Sequence, residues 1–225
     1  MNYKSILIVN GEPNSIFLEI FFKDIKKEKF KNPLILITSK KLLKLQMKHF
    51  KFKKKIKDLD YKILNKYKLD NKSINLLNID IEQNTAFKKI SKKSNKFITE
   101  SFKLAFKILK KYKLYKLVNG PITKKTFLEK KYLGLTEYIS KNYNVKKNAM
   151  LIFNKKLSVC PLTTHLPIKS VTKNIKRQNI IEKVKLIDAF FKKTLNKKPK
   201  IGVLGLNPHC ESVEKFNEDE KIIKP

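Results

Sequence analysis

Short apolar runs recur along the chain with longer amphipathic stretches between them, and this alternation constrains the fold more than any other feature. SILIVN at residues 5–10 and PLILIT at 33–38 are almost continuous Ile, Leu and Val. Runs of this kind mark strands covered on both faces, as in parallel sheets. Between them, Ile16, Phe17, Ile20, Phe21 and Ile25 recur three or four residues apart, which predicts a helix over 14–26. Further strands are predicted at 73–79, 115–118, 150–153, 157–160 and 199–206. A helix is predicted over 94–112 with Ile98, Phe102, Ala105, Ile108 and Leu109 on one face, and another over 179–195 through Ile180, Val184, Ile187 and Phe191. Strands separated by helices predict an α/β chain with a largely parallel sheet. Residues 40–72 are dense in lysine and fit either an inserted helical pair or a loop excursion. No internal repeat and no Gly/Ser/Pro linker divides the 225 residues, so no internal domain boundary is read. Residues 217–225 (NEDEKIIKP) read as the acidic first turns of a helix, and the chain is expected to be incomplete at that end.

Composition excludes several classes. No apolar run approaches the roughly 18 residues of a membrane span, and the apolar stretch before Asn10 is too short for a signal-peptide core. Cys160 and Cys210 have no CxxC spacing, which rules out a disulfide framework and makes a reducing cytoplasm the default. The formal charge is +34, yet Arg177 is the sole arginine among 53 basic residues. Nucleic-acid surfaces favour Arg for bidentate and stacking contacts, and no basic motif interleaved with aromatics is present. The charge therefore reads as a solvated lysine surface. It attracts polyanions without specificity and favours anionic, phosphorylated substrates.

Only five glycines occur, and a chain this poor in glycine is expected to keep them where the backbone demands them. Gly11 and Gly120 follow strands in NGEP and NGPITKK, Gly134 opens GLTEY, and Gly202 and Gly205 lie in IGVLGLNPH. His165 follows a predicted strand in SVCPLTTHLP, and His209 follows another in GVLGLNPHCE. Carboxyl ends of parallel strands share one edge, where ligands bind. Two imidazoles on that edge can converge on one ion, with Zn, Co, Fe, Ni and Mn all compatible. A catalytic ion takes about three protein ligands, so the pair is part of a set. His49 reads as a helix residue outside any site. Lys124 and Lys125 stand at a strand-to-helix turn suited to a phosphate, Glu12 is either a polar site residue or a turn acid, and the two thiols read as inert. No Gly-x-Gly-x-x-Gly, P-loop or Gly-x-Ser-x-Gly pattern is present.

Taken together, NGEPNSIFLEI, NGPITKK, GLTEY, VCPLTTHLPIK and GLNPHCE resemble the 4-hydroxythreonine-4-phosphate dehydrogenases of vitamin B6 synthesis, in order and in spacing, over nearly the whole chain. The resemblance implies an α/β/α fold of the two-domain isocitrate-dehydrogenase type, with its second half incomplete here. It implies a cytoplasmic homodimer with its active site in a cleft. It also implies an NAD-dependent oxidation of 4-phosphooxy-threonine, with decarboxylation to 3-amino-2-oxopropyl phosphate on the route to pyridoxal phosphate. A divalent metal (Zn, Mg, Co or Mn, not resolved further) is held by three His in the family. Two fall on His165 and His209, and the third belongs to a motif expected beyond Pro225. Thr136 falls on a substrate-binding Thr, and Lys124 is the candidate for the phosphate.

The sequence departs from the family where Leu135 replaces a substrate-binding His, and Leu cannot donate a hydrogen bond. The loop after Glu12 is altered at Asn14, Ser15, Phe17 and Leu18, and one residue is lost after His209. Two alternatives follow. One is a related dehydrogenase acting on another phosphorylated hydroxy acid; the other is a noncatalytic remnant or binding module of the same fold. The expected partners are a small phosphorylated hydroxy acid and a second copy of the chain, with no specific nucleic acid and no membrane.

Overall fold

The first apolar runs become neighbouring strands of one sheet. In the computed structural model, which describes residues 5–129, 131–213 and 216–225, the strands are β1 (Ile6–Val9), β2 (Leu34–Thr38), β3 (Ile56–Asp58), β4 (Ile74–Asn78) and β5 (Leu117–Asn119). Their order is β3-β4-β2-β1-β5, and every pairing is parallel. All five residues of β2 are buried, as a central parallel strand requires. The chain divides into two compact units, Met1–Lys131 and Tyr132–Pro225, and the whole sheet belongs to the first. No Gly/Ser/Pro-rich linker marks the boundary, which is why the sequence does not reveal it.

Side chains alternate across the sheet, so each strand feeds two cores. Ile8, Leu34, Leu36, Ile74 and Leu76 face α1 (Phe17–Lys27) and α2 (Lys40–His49), which bury Leu18, Phe21, Phe22, Leu42, Leu43 and Met47 among them. Leu7, Val9, Ile35 and Ile37 are fully buried on the other face. There α3 (Asn95–Tyr112) packs on β1 and β2 and buries Phe97, Ile98, Phe102, Ala105 and Ile108. The first unit is thus the α/β/α sandwich expected. The helix predicted from residue 14 begins three residues later, because Ser15 turns back on Glu12: its N–H and hydroxyl donate to the Glu12 carbonyl at 3.1 and 2.7 Å. The lysine-dense segment resolves into α2, the edge strand β3 and a short turn at Tyr61–Lys66. Ser39 caps α2, its Oγ accepting from the Leu42 N–H. β3 has only three residues, too few for any period to show.

The second unit contains α4 (Leu135–Asn142), α5 (Arg177–Phe190) and several single turns. Two expected strands, 150–153 and 157–160, reduce to one antiparallel bridge between Ile152 and Val159. The expected strand 199–206 has no strand neighbour among the described residues; Val203 and Leu204 are exposed. A strand needs a partner for its N–H and C=O groups, and apolar character alone does not supply one. The helix expected to run to 195 ends at Phe190 and continues as one wide turn, Phe191–Leu195. Residues 217–225 hold one such turn, Asp219–Ile223, at the place read as the start of a helix. Among the described residues no helix is long and apolar enough to cross a membrane.

Candidate active site

Within the first unit, β2 lies on one side of β1 and β5 on the other, so the loops after β1 and β5 meet at the point where the strand order reverses. Ligands of open α/β sheets bind at such crevices. The Gly120 N–H donates to the Val9 carbonyl and the Glu12 N–H to the Pro121 carbonyl, both at 2.8 Å. Gly11 sits at φ +72°, with the Pro121 carbonyl 2.5 Å from where a Cβ would stand, so only glycine fits. Glu12 is not a surface turn acid. It is 2% exposed, and its Oε1 accepts from the Asn14 N–H, the Asn14 amide and the Ser94 hydroxyl at 3.2, 3.3 and 3.0 Å. It ties the first loop to the start of α3. Lys124 and Lys125 are exposed on the turn Lys124–Leu128, and among the described residues no carboxylate pairs with them. That turn is too short to add a helix dipole to phosphate binding.

The two candidate metal ligands lie in the second unit, and the segments before them are not strands of the five-stranded sheet. Both have a left-handed backbone, as do Lys51, Lys113, Glu129, Asn144, Asn196 and Cys210. His165 has φ +58° and His209 has φ +56°, a left-handed conformation that costs a non-glycine residue about 1–2 kcal/mol. Strain of this kind gathers at functional sites. Both residues are exposed.

The loop before His209 is held by Asp219. Its carboxylate accepts from the Leu206 N–H at 2.7 Å, the Asn207 N–H at 2.9 Å and the Asn207 amide at 3.0 Å. Burial acts most strongly and pushes this carboxyl up, but the bonds from Asn207 and Leu206 together outweigh it and hold the group below its ordinary value.

His165 faces the first turn of α4. Gly134 is the residue before this helix, and a Cβ there would stand 2.9 Å from Glu137 Oε2 and 3.1 Å from His165 Nε2. The missing side chain leaves room for the carboxylate and the imidazole on either side of the glycine backbone. Glu137 Oε1 accepts from the Thr164 hydroxyl at 3.4 Å, while Oε2 is buried without a hydrogen-bond partner. Thr136 is half-buried in the same turn, beside Leu135.

The two imidazoles suit a borderline divalent cation in donor type, and the orphaned Glu137 oxygen beside one of them suits a cationic site. In number the donors are incomplete: among the described residues, no three His, Cys, Asp or Glu side chains gather closely enough to hold an ion.

Elsewhere, His49 packs edge-on against Phe50 and Phe87, with ring centroids 4.8 and 5.3 Å away, as a structural residue does. Burial pushes the Cys160 thiol up against the opposing charge of Lys183, which disfavours the reactive thiolate. Gly202 has open space around it, so the rule that rare glycines mark backbone necessity fails there. Glu137 and Asp219 escaped the sequence reading. Glu137 lies inside the GLTEY motif, three residues past Gly134, where a helix-capping carboxylate belongs. Asp219 had no signal, because its partners lie twelve residues upstream.

A parallel sheet covered on both faces, with polar loops interlocked at its switch point, is the framework of an α/β enzyme. The chain matches the family described as pyridoxal phosphate biosynthetic protein PdxA over residues 29–225, and it belongs to that family. It is 34% identical over 225 residues to 4-hydroxythreonine-4-phosphate dehydrogenase of Sulfurihydrogenibium sp. (strain YO3AOP1), covering 98% of this chain and 68% of that one. It is 30% identical over 95 residues to D-threonate 4-phosphate dehydrogenase of Pectobacterium atrosepticum, covering 42% of this chain and 29% of that one. Its fold resembles the crystal structure of 4-hydroxythreonine-4-phosphate dehydrogenase from Klebsiella pneumoniae, with TM-score 0.82 and 19% identity, over 99% of this chain and 70% of the other. The relatives are dehydrogenases by name, and the chain is a member of an oxidoreductase family.

Proposed function

We propose that the chain oxidises 4-phosphooxy-threonine with NAD, as part of a homodimer in the cytoplasm, and that the keto acid formed loses CO2 to give 3-amino-2-oxopropyl phosphate. The observation that carries this reading is the family match over residues 29–225, with His165 and His209 at the two positions where the family resemblance puts metal ligands. These imidazoles would hold a divalent cation together with at least one further donor, which the resemblance assigns to a third His. Bound there, a cation supplies Lewis-acid polarisation of the substrate oxygen, and NAD supplies the hydride acceptor. The Thr136 hydroxyl hydrogen-bonds the substrate, and the Lys124 ammonium draws the phosphate.

A second reading is favoured by Leu135. An apolar side chain stands where the family has a hydrogen-bonding His, and one of the relatives carries the name D-threonate 4-phosphate dehydrogenase. A substrate with one fewer polar group at that point, or a different one, then suits the site better.

NADH formation, measured with both phosphorylated hydroxy acids and a series of divalent cations, tests the reading. Turnover of 4-phosphooxy-threonine that requires an added cation supports it, and turnover of D-threonate 4-phosphate alone selects the second reading. Absence of turnover with either substrate leaves a binding module and defeats both.

A further inference from the structure

We propose that the amino-terminal edge of the sheet carries a second binding site, which takes a small phosphomonoester with an apolar body. A cavity of about 320 Å3 opens there, a volume at the lower bound of ligand pockets. Leu34 and Ile74, the first residues of β2 and β4, both line it, so it lies at the opposite edge from the loops after β1 and β5.

Its walls are of two kinds. Phe21, Ile25 and Phe30 join the two strand residues in an apolar surface. Lys29, Lys54 and Lys72 come from the loop after α1, the segment before β3 and the loop before β4. Among the described residues none of these lysines has a carboxylate within ion-pair distance, and Glu28, the acid on the lining, is not paired with them. Like charges left unneutralised beside a low-dielectric wall concentrate a positive potential. A phosphomonoester meets it with roughly two negative charges and three acceptor oxygens, where a carboxylate brings a single charge. Lysine is abundant over this whole surface, and the apolar wall is what sets the place apart.

The cavity is preformed. Asn71, on the same lining, fastens one wall to the other: its amide donates to the Phe30 and Asn32 carbonyls, both at 2.9 Å, and its Oδ1 accepts from the Leu34 N–H at 2.9 Å. The Ile74 N–H donates to the Lys55 carbonyl at 2.8 Å, which fixes the segment that carries Lys54. Walls held in this way lose little freedom when a ligand arrives. Every residue here lies in the first unit and none belongs to the candidate active site, so the reading under Proposed function neither supports this site nor falls with it.

The test titrates phenyl phosphate, inorganic phosphate and phenol separately into the 15N-labelled chain and follows the backbone amides of Lys72, Ser73 and Ile74. Phenyl phosphate is expected to shift them saturably, about tenfold tighter than either fragment. Lys29→Ala with Lys72→Ala is expected to weaken it about tenfold, and Phe30→Ser to remove its advantage over inorganic phosphate. Lys44→Ala with Lys48→Ala takes the same charge from α2, outside the lining, and is expected to leave the affinity unchanged. Equal affinity for inorganic phosphate means that lysines alone attract the anion, and equal affinity for phenol that the charges are idle. Either result overturns the proposal, as does an equal loss in the two lysine pairs or the absence of a saturable shift with phenyl phosphate.

Discussion

Asp219 grips Asn207 twice, accepting from its backbone N–H at 2.9 Å and its side-chain amide at 3.0 Å, two residues before His209. One carboxylate thereby sets the path of the loop that carries a candidate ligand. Because the bonds hold its titration point below the ordinary value, the stability it contributes is complete above the usual carboxylate range. That stability is lost as pH falls through the lowered value. Hydrogen exchange at the Leu206 and Asn207 amides is expected to quicken on that acid limb, and at neutral pH in Asp219→Ala. Equal protection with and without the carboxylate argues against the clamp.

Gly134→Ala introduces a Cβ 2.9 Å from the Glu137 carboxylate and 3.1 Å from the His165 ring. The backbone there is extended, so folding loses only the difference between a Gly and an Ala cap, about 1 kcal/mol. The side chains must part. Zn2+ affinity is expected to fall at least tenfold while the unfolding midpoint moves little. Unaltered affinity, measured by calorimetry, contradicts the close approach.

Glu12→Ala removes the acceptor of three hydrogen bonds from a buried position. The donors left behind cost about 1–3 kcal/mol. Urea unfolding followed by circular dichroism is expected to show that loss, and Ser94→Ala a smaller one. A neutral Glu12→Ala means that the loop is held by its backbone bonds alone.

Phe102→Ala empties a fully buried site on α3 beneath β1 and β2. The expected loss is about 3–5 kcal/mol. Since α3 packs on β1 and β2, this variant reports on the first unit, and urea unfolding followed by circular dichroism checks the loss.

Leu135→His restores a hydrogen-bonding group in the first turn of α4. On the primary reading, kcat/KM for 4-phosphooxy-threonine is expected to rise about tenfold, the worth of one net hydrogen bond. A fall for that substrate, with D-threonate 4-phosphate still accepted, points to a site shaped around leucine.

The sequence by itself determined the sandwich. β1, β2 and β4 are legible because a strand buried on both faces must be apolar throughout, and α1 and α3 because one wet face imposes a 3.6-residue period. It also singled out His165, His209 and Gly134 through motifs in a chain with few His and Gly. It could not find β3, which is set by pairing with β4 rather than by its own residues. It promised strands at 150–153, 157–160 and 199–206, where apolar composition was present but a full set of hydrogen-bonding neighbours was not. Only the tertiary structure turned Glu12 from a turn acid into a buried node, joined Asp219 to the His209 loop and brought Glu137 to Thr164. Each of these depends on a contact between residues distant in sequence, and local patterns carry no record of where a polar atom will find its partner.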